Sequence, residues 1–116
     1  MTMSRVGNFL PFTFYYDIAY STMNKQKLAR IRGDITAARR KSQTQDDLVR
    51  LAVRLGRTRS KRGKEPTWVS QFQGLYPISI PHAKGGDLKP GTKSNILNQL
   101  EDDVLAWEEI LEQGDG

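Results

Sequence analysis

The chain contains no cysteine, one histidine and no long uninterrupted hydrophobic run in its 116 residues. The lack of cysteine excludes a disulfide scaffold, a thiol nucleophile and any cysteine-ligated zinc site. A single histidine argues against a multi-histidine metal centre. Hydrophobic residues make up 37% of the chain, enough for one small core, and the length leaves no room for a second domain or a large cofactor-binding fold. The most apolar stretch, Val6 to Tyr20, is broken by Asn8, Pro11 and Asp17. It fits neither a signal peptide nor a membrane span. Residues 1–23 are expected to form a poorly ordered N-terminal extension, with a short aromatic strand as the alternative, and residues 24–116 a single domain. No Gly-rich loop ending in Lys-Ser/Thr precedes a helix, and no Ser-His-Asp set is spaced for catalysis. The expectation is a cytoplasmic protein with no cofactor, no metal and no membrane partner.

What the chain has is charge, unevenly placed. The net +5 hides a segment, residues 24–64, with 14 basic and 3 acidic groups, and a remainder, residues 65–116, with 3 basic and 9 acidic groups. These segments carry net charges of +11 and −6. The middle therefore suits a polyanionic partner and the end a solvated or protein-facing surface. Arg57, Arg59, Lys61, Arg62 and Lys64 alternate with small or polar residues, so five cations could track a phosphate backbone. A solvated edge strand guarded by cations gives the same pattern. A third reading has the basic middle and the acidic end bind each other between subunits.

Leu28, Ile31, Ile35 and Ala38 recur at helical spacing and predict a basic amphipathic helix of about 17 residues from Asn24. Thr44 with Asp47 three residues on reads as an N-terminal cap, and Leu48, Leu51, Ala52 and Leu55 line the helix that follows until Gly56 stops it. Thr67–Phe72 and Leu75–Ile80 read as a hairpin turned at Gln73-Gly74, and the start of the 57–66 segment as a further edge strand. Thr92 is expected to cap a last helix running to about Gln113, with Leu97, Leu100, Val104, Trp107 and Leu111 as its apolar seam. Its other side carries Glu101, Asp102, Glu108, Glu109 and Glu112. This is an α+β domain with helices on one face of a small antiparallel sheet.

Candidates for chemistry are few. His82, beside Pro81, is the only imidazole available as a general base, although a histidine in a turn is equally ordinary. Glu65 is a second candidate base, set among Arg62 and Lys64, whose charge would depress its pKa. Trp68 could stack on a nucleic-acid base, while the ordinary role of a strand tryptophan is core.

The string Ile80-Pro81-His82-Ala83-Lys84-Gly85-Gly86-Asp87-Leu88-Lys89-Pro90-Gly91-Thr92-Lys93-Ser94-Asn95-Ile96-Leu97 resembles the C-terminal half of the HicA-type toxins. The family pattern there is a strand ending in Pro, a His-containing loop, Gly-Lys-Asp/Glu-Leu, Pro-Gly-Thr and a helix. Thr44 to Gly56 is similar to its first helix and Thr67 to Ile80 to its hairpin, so the resemblance spans about residues 43–100. It implies a double-stranded-RNA-binding-like α-β-β-β-α fold, an mRNA-cleaving toxin of a type II toxin–antitoxin system, and a HicB-like antitoxin partner. Lys84 and Lys89 then join the RNA-binding set. The chain departs from the pattern in its histidines. None stands in Arg62–Trp68, where the family keeps its catalytic one, and the family's loop histidine aligns with Ala83, one place after His82. The usual Lys before the acidic residue aligns with Gly86. The helix expected at 24–41 and the extension of the last helix lie outside the module and are read as additions for partner binding.

Overall fold

The computed structural model describes residues 23–61, 66–83 and 86–115. The extension expected over residues 1–23 lies outside them except for Met23, which is buried in the core. Asn24 opens the first helix, α1 (Lys25–Ala38), its side chain accepting from the Lys27 amide at 2.8 Å. The helix is shorter than expected. Arg39 to Lys41 form a turn, and the ammonium of Lys93 donates to the carbonyls of Arg39 and Lys41 at 3.0 and 2.8 Å, satisfying oxygens at a helix end.

Helix α2 (Gln45–Arg54) begins with the expected cap, and its geometry is reciprocal. The Thr44 hydroxyl accepts from the Asp47 amide at 3.2 Å, and the Asp47 carboxylate accepts from the Thr44 amide at 2.9 Å. Gly56 closes the helix at φ +93°, in the left-handed region where a side chain would be strained.

Three short antiparallel strands follow, β1 (Thr58–Arg59), β2 (Thr67–Val69) and β3 (Ile78–Ser79), in the order β1-β2-β3. Arg59 faces Trp68, which faces Ile78, so these three share one side of the sheet. β2 and β3 are shorter than the hairpin expected from sequence, for two reasons. The carbonyls of Trp68 and Tyr76 accept from the Arg57 guanidinium at 3.0 and 3.1 Å, and Pro77 has no amide to donate. Phe72, expected at the end of β2, instead sets its ring edge-on to Trp107, with centroids 5.0 Å apart.

The last helix, α3 (Pro90–Asp115), starts two residues before Thr92. Proline suits the first helical position because its missing N–H has no partner there. The Lys93 amide bonds the Lys89 carbonyl at 2.9 Å, so the first turn closes around Pro90 and Thr92 is not the cap. The seam holds: Leu97, Leu100, Val104 and Trp107 are buried and Leu111 is partly so.

α1 packs antiparallel along α3. Arg32 pairs with Glu108 at 3.0 Å and Arg39 with Glu101 at 2.7 Å. Leu28, Ile31 and Ile35 of α1 are buried, and each such side chain contributes about 1.5–3 kcal/mol. A surface ion pair contributes about 0–1 kcal/mol. The apolar stripe therefore holds α1 in place, and the charges set its register. Among the described residues the architecture is α+β, with three helices and a three-stranded antiparallel sheet.

Candidate nucleic-acid interface

Of the alternating cations Arg57, Arg59 and Lys61, the first is turned into the interior. Arg57 is 3% exposed and makes four side-chain hydrogen bonds. Two go to the Asp103 carboxylate, at 2.7 and 2.8 Å, and two to the carbonyls of Trp68 and Tyr76. Its assignment to the phosphate-binding set is corrected accordingly, because a guanidinium spent on four internal acceptors has no face for RNA. Asp103 is equally buried. Burial pushes its carboxyl above the usual carboxylate value, while the hydrogen bonds and positive charge of Arg57 pull it back.

Trp68 is 6% exposed and belongs to the core, and the Arg59 guanidinium lies 5.8 Å from its ring centroid. That cation–π contact covers the ring at the sheet edge, so Trp68 offers no open stacking platform and its place in the RNA-binding set is also corrected. Arg59 and Lys61 are exposed.

The strand register decides what these exposed cations stand beside. The Ser60 amide bonds the Thr67 carbonyl at 2.8 Å, and the Ile80 amide bonds the Pro66 carbonyl at 3.1 Å. The end of β1, the start of β2 and the end of β3 are thereby aligned. Lys61, Pro66, Pro81 and His82 all leave the sheet at this one end. Helix starts join them there. The Gln45 side-chain amide donates to the Ile80 carbonyl at 2.9 Å, Thr44 pairs with Asp87, and the Leu88 amide donates to the Gln43 carbonyl at 2.8 Å. Lys89 is exposed just before α3.

Of the residues proposed from sequence, the sheet end thus gathers Lys61, His82 and Lys89, all exposed. Arg59 is one position further in on the outer strand. β1 and β3 flank β2 on opposite sides, about 10 Å apart at strand level, two strand spacings. Arg62, Lys64, Glu65 and Lys84 lie outside the described residues. Among the described residues no group of three or more His, Cys, Asp or Glu side chains is placed to hold a metal ion, and no helix is long and apolar enough to cross a membrane.

On the acidic helix, Glu101 and Glu108 are occupied by Arg39 and Arg32 of the same chain. Part of the complementarity between basic middle and acidic end is therefore internal. Asp102, Glu109 and Glu112 remain exposed. Asp103 escaped the sequence reading, although its position three residues after Leu100 and four before Trp107 places it on the apolar seam. Gln45, which ties α2 to the end of β3, carries no comparable local signal.

Comparison of the chain with family models, with curated proteins and with solved structures yields no match. The functional reading therefore rests on the site and on the sequence resemblance.

Proposed function

We propose that this protein is a HicA-like toxin of a type II toxin–antitoxin system, which binds mRNA at the sheet end and is neutralised by a HicB-like antitoxin. The single observation that carries the reading is the emergence of Lys61, His82 and Lys89 at one end of the sheet. The order α2-β1-β2-β3-α3 fits a double-stranded-RNA-binding-like module, to which α1 is added. Cations at the sheet end would contact phosphates, and such contacts make affinity fall steeply with salt.

The same placement supports a cleavage step. An exposed imidazole beside cations can take the proton of a ribose 2′-hydroxyl as its oxygen attacks phosphorus, then return it to the departing 5′-oxygen. His82 is that imidazole, and Glu65 is the other base considered. The second reading is a non-catalytic RNA-binding or protein-interaction module on the same fold. It is favoured by the departure from the family histidine pattern in Arg62–Trp68.

Full-length protein incubated with a labelled transcript tests both readings. Salt-dependent binding with cleavage abolished by His82→Ala is the expected result. Binding with an intact transcript leaves the non-catalytic module, and cleavage lost only in Glu65→Gln moves the chemistry to that carboxylate. No binding at low salt removes the RNA reading altogether.

A further inference from the structure

Between α1 and α2 lies an open groove of about 250 Å³ whose walls carry Lys41, Arg50 and Arg54 with Asp34 and Asp47. Both carboxylates are engaged within the chain. Asp34 accepts from Arg54 at 2.8 Å, and Asp47 holds the Thr44 amide in the capping box. Arg50 is different: its side chain is 75% exposed, and its nearest carboxylate contact, to Asp47, is 3.9 Å, beyond hydrogen-bond distance. Lys41 is exposed as well, and no ion pair holds it among the described residues. The groove therefore contains two cations ready to donate, while the third, Arg54, one turn further along α2, is neutralised by Asp34.

Its position gives the groove an occupant. Gln43 lines it, and the same residue's carbonyl accepts from Leu88, next to Lys89 at the sheet end. Gln43 thus ties the groove to the sheet end through the backbone at Leu88, one residue from the exposed Lys89. The groove's apolar residues, such as Leu51 and Ala38, are buried in the core, so an acidic protein would find cations there but no anchoring pocket. A phosphate backbone needs only the cations.

We propose that the α1–α2 groove is a second phosphate-binding site, in which Lys41 and Arg50 hold the flank of the RNA engaged at the sheet end. The proposal rests on the RNA reading above and adds α1, which lies outside the resembled module, to the binding surface. The test is the salt dependence of binding to oligouridine and to a short RNA duplex, with full-length protein. The variants are Lys41→Gln/Arg50→Gln and, as an equal-charge control away from the groove, Lys27→Gln/Arg30→Gln. Circular dichroism checks that each is folded.

The groove variant should lose about 1.4 from the slope of log K against log salt on single strands and about 1.8 on the duplex, two contacts' worth. The control should keep the wild-type slope. A wild-type slope in the groove variant, or equal losses in both variants, overturns the second site. Wild-type protein that binds neither RNA overturns the underlying reading instead.

Discussion

Arg57 and Asp103, 46 residues apart in sequence, meet through two hydrogen bonds of 2.7 and 2.8 Å with both side chains 1% exposed. The pair joins the segment after α2 to the middle of α3, and Arg57 also holds the backbone at Trp68 and Tyr76. Removing one partner leaves a buried charge uncompensated, at a cost of about 3–5 kcal/mol. Replacing both partners by apolar residues leaves neither charge buried alone. Arg57→Met combined with Asp103→Leu should therefore be more stable in urea unfolding than either single variant. A double variant as unstable as the worse single one would contradict this account.

Gly56 sits at φ +93°, and a Cβ built there would meet the Trp107 ring at 3.5 Å, an ordinary contact. Space is thus available and the backbone angle is the obstacle. Gly56→Ala is expected to cost about 1–2 kcal/mol without disturbing Trp107. Thermal unfolding measures the loss, and unchanged Trp107 ring resonances in NMR spectra separate backbone strain from a steric clash.

Arg59 covers the edge of Trp68. Arg59→Ala should cost about 0.5–1 kcal/mol and expose the indole, shifting tryptophan emission to longer wavelength. Trp107, fully buried with its Nε1 donating to the Leu55 carbonyl at 2.7 Å, should not contribute to that shift. Recording the effect in a Trp107→Phe background assigns it, and an unchanged spectrum there would mean that Arg59 does not cover the ring in solution.

The ion pairs between α1 and α3 are partly exposed, so each is worth about 0–1 kcal/mol and is screened by salt. Arg32→Gln/Arg39→Gln should lower stability by less than about 2 kcal/mol. Ile35→Ala, at a fully buried position, should cost about 2–5 kcal/mol. A larger effect from the charge variant, measured by urea unfolding at physiological salt, would reverse the ranking of apolar and ionic contributions.

The features legible in the sequence are those with a local cause. The cap at Thr44 and Asp47 needs only three residues of spacing, and the seam from Leu97 to Trp107 only the helical period. Pro90 rather than Thr92 starts α3, and proline at a first helical position is itself a local signal. Asp103 and Arg57 illustrate the other limit. Each reads as one more surface charge until the strand order brings β1 and α3 together, and alternation tells which residues share a side without telling which side is inside. The candidate site was legible as residue types, Lys61, His82 and Lys89. Their common location needed the register of Ser60 on Thr67 and Ile80 on Pro66.

The packing of α1 on α3 also governs how the protein is made. Arg32 and Glu108 are 76 residues apart, so α1 finds its partner only after the whole sheet has been synthesised. Until α3 leaves the ribosome, Leu28, Ile31 and Ile35 have lost their main cover and Arg57 lacks its carboxylate. Long-range closure of this kind slows folding and leaves apolar surface open meanwhile. Translation stopped before α3 should release a chain that chaperones and proteases recognise, because its native surface is assembled only once α3 has been made.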